Sequence, residues 1–196
     1  MEIKPIELIG QRTKIIPMEA FHTKDLYEAG RSTEIWRYMP INVQKYEDME
    51  RLVEGALVGK DKGIDFPFVI IDQETDRIVG STRFLDISIP NRNLEIGWTW
   101  YNPEVWRTRM NTECKYLLLR HCFEDLSTVR VQLKADARNL RSLKAIERIG
   151  GVQEGTLRRH RILEDGFIRD TVYFSIIAEE WPGVKEKLER TMKTNV

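Results

Sequence analysis

The chain is poor in cysteine, has no long apolar run and carries no net charge, and each shortage closes off a class of function. Its two cysteines, Cys114 and Cys122, fall two turns apart on one predicted helix. That geometry suits neither a disulfide nor a metal-ligand pair, so they read as small buried apolar residues. No apolar run approaches the roughly 18–20 residues a helix needs to span a bilayer, so no membrane partner is expected. The opening residues, MEIKPIELIGQRTKII, lack the apolar core and small-residue cleavage site of a signal peptide, which predicts a cytoplasmic protein. Lysine plus arginine total 31 and aspartate plus glutamate total 31, so no global field recruits nucleic acid. No His/Cys/Asp cluster has metal-ligand spacing, and no metal is expected. There is no internal repeat, low-complexity tract or linker. The 196 residues are therefore expected to form a single domain, 1–196.

What is present alternates between strand and helix periodicity. TKIIPM, Thr13 to Met18, predicts a first strand, and short helical pieces follow between His22 and Arg51. Trp36, Tyr38 and Met39 stand just ahead of Pro40; they either line a cleft, where they would touch substrate, or belong to the core. Val43 to Gly59 reads as an amphipathic helix with Tyr46, Met49, Leu52, Val53, Ala56 and Leu57 inward. Phe66 to Asp72 and Arg77 to Ile87 form a hairpin, and Val129 to Ala135 is a further strand with Val129, Val131 and Leu133 on one side. Asn139 to Ile149 is a helix ended by Gly150 and Gly151. Two antiparallel strands then surround an Asp165–Gly166 turn. EEWPGVKEKLERTM at the end predicts a charged, peripheral helix. The order gives a mixed sheet covered by helices.

The most informative stretch is NLEIGWTWYNPEVWRTRMNTECKYLLLRHCFE, Asn93 to Glu124. Leu94, Ile96, Trp98 and Trp100 alternate with Glu95, Gly97, Thr99 and Tyr101, which predicts a strand with two distinct faces. Pro103 ends it, because proline cannot donate to a ladder. Leu117, Leu118, His121 and Cys122 recur at helical spacing, with Cys114 one turn earlier. Asn111 and Thr112 occupy the expected cap, and Glu113 the first turn, where the helix dipole favours it. A short loop feeding a helix N-terminus is a ready site for a phosphate.

Three pieces together resemble the GNAT acyltransferase superfamily, in its branch of RimJ/RimL-type N-acetyltransferases. IGWTWYNPEVWRTRMNTECKYLLL is similar to that family's fourth strand, acyl-CoA loop and third helix. DARNLRSLKAIERIGG is similar to the segment after its fifth strand, and GTLRRHRILEDGFIRDTVYFSI to its closing hairpin. The resemblance implies an α+β fold of the acyl-CoA N-acyltransferase type. Its central, mostly antiparallel seven-stranded sheet would splay between strands 4 and 5, with helices on its flanks. It also implies acetyl-CoA as cosubstrate, its pantetheine arm pairing with the exposed strand edge. The pyrophosphate would then rest on the loop Trp106, Arg107, Thr108, Arg109, Met110, Asn111 and Thr112. Two departures stand out. Arg109 and Asn111 occupy positions where the family often has glycine, and Ile146 occupies the position of a thiolate-protonating tyrosine.

On this basis Glu95 is the candidate general base and Ser142 the candidate proton donor. The alternatives are a buried glutamate tied to an arginine, and a serine hydroxyl bonded to its own helix. Backbone groups around Trp100, Tyr101 and Asn102 would bind the developing oxyanion. Asn139 would cap its helix and touch CoA, and Arg107, Arg141 and Lys144 are candidates for the CoA phosphates. Arg158, Arg159, His160 and Arg161 alternate along a strand and so form two faces. The implied reaction is acetyl transfer from acetyl-CoA to a primary amine, foremost a protein N-terminal α-amine of the ribosomal-protein kind. A small amine, such as a polyamine, amino acid or antibiotic, is the rival acceptor. A non-catalytic acyl-CoA sensor is a third reading, motivated by Arg109 and Ile146 and opposed by Glu95 and Ser142. Monomer and homodimer both remain open.

Overall fold

Eight strands form one sheet in the computed structural model, which describes residues 1–194. They are β1 (Leu8–Ile9), β2 (Thr13–Pro17), β3 (Asp65–Asp72), β4 (Arg77–Ser88), β5 (Asn93–Tyr101), β6 (Arg130–Asp136), β7 (Val152–Ile162) and β8 (Ile168–Ile177). Their spatial order is β1-β2-β3-β4-β5-β6-β8-β7. Neighbours are antiparallel except β5 and β6, which run parallel. The strand beyond the expected seven is β1, whose two residues are too few to show an alternation.

Helices cover both faces. Helices α1 (Thr23–Ala29) and α2 (Tyr46–Asp61) close one core with Leu26, Ala29, Met49, Leu52, Val53 and Ala56. Helices α3 (Met110–Arg120), α4 (Leu140–Arg148) and α5 (Trp181–Thr194) close the other. In α2 the buried residues recur at i, i+3, i+4 and i+7, as an amphipathic stripe requires. The helix starts at Tyr46 and not at Val43, and Tyr46 itself stays exposed. Helix α4 ends in a Schellman motif. Gly150 adopts φ +100 and donates to Glu147, while Gly151 donates to the Ile146 carbonyl. Helix α5 is not peripheral, because Trp181, Val184 and Leu188 are buried in the same core as α3. Its many charges all lie off that narrow stripe. No helix among the described residues is long and apolar enough to cross a membrane.

Strand β5 departs from strict alternation. Gly97 pairs with Arg83 and Trp100 with Ser81, so Trp98 and Thr99 oppose the single residue Thr82. This is a β-bulge, and Trp98 takes it up with φ +51. The extra residue turns the rest of the strand over. Leu94 and Ile96 lie in the core under α3, whereas Trp100 lies in the core under α1 and α2. The expected common face of Leu94, Ile96, Trp98 and Trp100 therefore breaks at Trp98.

The cap of helix α3 falls at Arg109, two residues before Asn111. The Thr108 hydroxyl accepts the Met110 N–H at 3.2 Å. Asn111 and Thr112 thus belong to the first turn of the helix. Glu113, in the same turn, is buried, and its carboxylate accepts backbone N–H bonds from Gln11 (2.6 Å), Arg12 (3.1 Å) and Thr13 (2.8 Å). One side chain thereby fastens the β1–β2 turn to α3, about 100 residues away in sequence. Replacing Glu113 with alanine strands three backbone donors and should destabilise the fold by about 2–4 kcal/mol. Chemical denaturation of Glu113→Ala checks this; a loss below about 1 kcal/mol would show that water satisfies those donors equally well.

Candidate active site

The parallel pairing of β5 and β6 lasts three residue pairs, from Asn93 with Arg130 to Glu95 with Gln132. The strands then diverge, and a cleft of about 920 Å³ opens between them. From Ile96 to Tyr101 the edge of β5 that faces β6 has no strand partner, while its other edge stays paired with β4. An extended chain with amide groups fits such an edge as an added strand.

Glu95 stands where the strands part, lines the cleft and is almost fully buried. Its Oε2 accepts from Lys134 Nζ at 2.7 Å and from Gln132 Nε2 at 2.8 Å. Burial pushes the Glu95 carboxyl above its usual range, and Lys134 and Gln132 oppose that shift. The partner anticipated for a buried glutamate was an arginine; it is a lysine instead. Gly97 has a packing reason to lack a side chain, since a Cβ there would stand 2.6 Å from Glu95 Oε1.

At the mouth, Trp106, Arg107, Thr108, Arg109, Asn111 and Thr112 all line the cleft. The first turn of α3 leaves the Asn111 and Thr112 N–H groups without intrahelical acceptors, which suits an anion. Left-handed geometry falls on Arg107, at φ +63, and not on Arg109 or Asn111. Both positions where the family often has glycine are thus compatible with ordinary side chains here. The Trp106 indole donates to the Tyr101 carbonyl at 2.9 Å, and the Arg141 guanidinium stacks 3.9 Å from the indole centroid. Met110 is fully buried in the core and lies off the cleft, as does Lys144. Asn102 also points elsewhere. Its N–H is bound to the Val79 carbonyl and its amide to Ala29, so it is removed from the set of oxyanion donors.

Asn139 caps α4 by accepting the Ser142 N–H at 3.1 Å, and both residues line the cleft. Ile146 follows one turn later on the same wall. Tyr38 and Met39 line the cleft, but Trp36 does not. Its indole donates to the Gly30 carbonyl and its ring packs on Trp100, so it supports the wall from behind. Arg138 joins three segments at this end. It makes two hydrogen bonds to Asp136, stacks 3.4 Å from the Phe167 ring centroid and lies 5.7 Å from that of Tyr38. Burial works to raise the Asp136 carboxyl, but Arg138 and Arg169 outweigh it and hold the group below its usual range. Among the described residues no group of three or more His, Cys, Asp or Glu is placed to hold a metal.

Lys134, Lys115, Arg161 and Arg169 also line the cleft, and sequence reasoning did not single them out for it. A signal existed for two of them. Lys134 lies between Leu133 and Ala135 in a central strand, and Lys115 shares a helical stripe with Leu118 and Cys122. Lys115 is buried and donates to the Thr99 hydroxyl at 2.6 Å. Burial lowers its pKa to about 8, with Cys114, Glu95 and Cys122 acting the other way.

The family described as Acetyltransferase (GNAT) domain matches residues 12–152. The uncharacterized N-acetyltransferase p20 of Bacillus licheniformis is 26% identical over 180 residues, covering 90% of this chain and 98% of its own. The ribosomal-protein-serine acetyltransferase of Escherichia coli (strain K12) is 25% identical over 160 residues, covering 80% and 88%. The structure of Mycobacterium smegmatis RimJ in complex with CoA-disulfide superposes with a TM-score of 0.82 at 19% identity, covering 95% of each chain.

A lysine whose folded pKa is lowered costs stability while both states are protonated, and the cost fades as pH rises from the folded towards the unfolded value. Lys115→Met should therefore stabilise the protein at pH 7 by about 1–3 kcal/mol, and the gain should shrink between about pH 8 and pH 10. Thermal melts across that range check it. A destabilised variant at pH 7, or a gain independent of pH, would overturn this account of Lys115.

Proposed function

We propose that this chain, which belongs to the GNAT acetyltransferase family, moves the acetyl group of acetyl-CoA directly to the free α-amine of a protein N-terminus. The observation that carries the reading is the parting of β5 and β6, with Glu95 at its apex and the α3 N-terminus at its mouth. The unpaired β5 edge suits the amides of a pantetheine arm, and the first turn of α3 together with Arg107, Arg109 and Arg141 suits its phosphates. When bound, acetyl-CoA supplies an activated thioester carbonyl. The ribosomal-protein-serine acetyltransferase relative favours a protein α-amine over a small one.

In this reading the chain's own groups have separate tasks. Glu95 accepts the proton of the incoming ammonium, directly or through one water; an α-amine titrates near about pH 8, so a modest base suffices. Lys134 opposes the burial that works to neutralise Glu95. N–H groups of the open β5 edge, near the Trp98 bulge, stabilise developing negative charge on the carbonyl oxygen. Ser142 returns a proton to the departing sulfur, the task for which Ile146 has no acidic hydrogen. The apolar walls formed by Trp100, Ile96 and Leu133 exclude water that would compete with the amine.

The test is thiol release from acetyl-CoA with short peptides bearing free N-termini, against blocked lysine peptides, polyamines and aminoglycosides. Turnover confined to free N-termini supports the proposal, and turnover of small amines alone would replace the acceptor. Tight acetyl-CoA binding with no turnover throughout would install a sensor. Glu95→Gln should lower kcat by about 100-fold or more and remove the acid limb of the pH–rate profile, with acetyl-CoA affinity nearly unchanged. That limb falls as pH drops through the raised Glu95 pKa, since the base is then protonated. A Glu95→Gln profile parallel to the wild-type one would take Glu95 out of the mechanism.

A further inference from the structure

Arg161 on β7 and Arg169 on β8 stand directly opposite each other in the antiparallel register. Like charges in that position repel, and burial worsens the repulsion. Arg169 is 94% buried, being 6% exposed, yet both side chains line the cleft. The Arg169 guanidinium donates through Nε to the Thr171 hydroxyl at 3.1 Å and lies 4.0 Å from Asp136 Oδ2. Asp136 itself is committed to Arg138, through two side-chain bonds and a backbone N–H. The terminal nitrogens of Arg169 have no hydrogen-bond partner among the described residues, and Arg161 has no ion pair there. Along this wall Lys134 is answered by Glu95 and Arg138 by Asp136, which leaves two guanidinium groups without a carboxylate of their own.

The sheet fixes where this pair stands relative to the base. Val131, Leu133, Ala135, Val172 and Phe174 face the core under α3. Lys134, Asp136, Arg169 and Thr171 therefore share the opposite face with Glu95 and Gln132. Glu95 is level with Gln132, and Arg169 lies two residues past the partner of Asp136. At about 3.3 Å per residue the two backbone positions are roughly 20 Å apart, and both long side chains reach into the cleft between them. Burial lowers the Arg169 pKa, and Asp136 and Glu95 act the other way. The remaining gap suits two or three extended residues of a peptide, about 7–10 Å. A free amino acid, with its carboxylate one carbon from its amine, is too short to bridge it.

We infer that Arg161 and Arg169 hold a carboxylate of the acceptor, so that the preferred substrate is a peptide whose free N-terminus is followed within three residues by aspartate or glutamate. This rests on the N-terminal reading above and adds the acceptor's charge to it. A carboxylate bridging both guanidinium groups relieves their repulsion and completes their hydrogen bonds, which makes the acidic side chain a specificity determinant and not merely a tolerated one.

The experiment compares peptides that differ only by glutamate or glutamine at the second or third position. It measures kcat/KM, and also equilibrium affinity for the protein with CoA bound. The acidic peptide should be favoured by about 10- to 100-fold in both. Arg161→Gln, at the more exposed of the two positions, should bring both ratios towards one, and Arg161→Glu should transfer the preference to a lysine-bearing peptide. Equal kcat/KM and equal affinity for the paired peptides would overturn the anion site while leaving N-terminal transfer intact. If no peptide turned over, the N-terminal reading would fail, and the affinity ratio would still decide whether the arginine pair reads acid. A free amino acid outperforming every acidic peptide would also overturn the inference.

Discussion

The structure depends on a sheet that stops being a sheet at one place. Strand β5 keeps its hydrogen bonds to β4 along most of its length but gives up those to β6 after Glu95. Unpaired backbone groups inside a protein are costly, so such an edge persists only where solvent or a ligand can pair with it. The surrounding elements hold the opening in place. On one side the β6–β8 ladder stays intact from Arg130 to Asp136, and on the other the bulge at Trp98 sends Trp100 into the α1–α2 core. With each strand anchored in packing beyond the fork, closing it would require both cores to move.

Away from the cleft, Glu113 is answered by three backbone donors, whereas Arg83 keeps an unpaired Nε beside Asp65. Around the cleft the answers are partial. Glu95 is paired and yet shifted upward by desolvation, Lys115 donates to the Thr99 hydroxyl, and Arg169 faces another arginine. An ion left incompletely solvated costs free energy that nothing in the fold recovers, so the cluster of three such groups in one cavity marks where a ligand completes the electrostatics.

Much of this was legible beforehand. Strand and helix periods and turn residues located β3 to β8 and α2 to α4 within a few residues, since each leaves a local mark in the sequence. The Asn139 cap, the Gly150–Gly151 stop and the Asp165–Gly166 hairpin were readable because each is set by local backbone chemistry. The failures have a common cause. The face of Trp100, the commitment of Asn102 to Val79 and Ala29, and the choice between cleft and core for Trp36 all depend on neighbours far away in sequence. The left-handed residue of the loop is Arg107, just ahead of Thr108, which bonds to the Met110 N–H where α3 starts.

The sequence alone determined most elements and their order, since periodicity, caps and turn residues act over a few residues at a time, and three of its segments carried the family resemblance. The resemblance nominated Glu95, Ser142 and Asn139, and the strand period added only that Glu95 lies on the polar face of β5. Only the tertiary structure decided what each face meets. Lys134 beside Glu95, Thr99 over Lys115 and Arg161 across from Arg169 are each brought together by sheet register or helix packing. Register is set by the fit of whole faces against a core, and a single bulge such as that at Trp98 reverses every assignment after it.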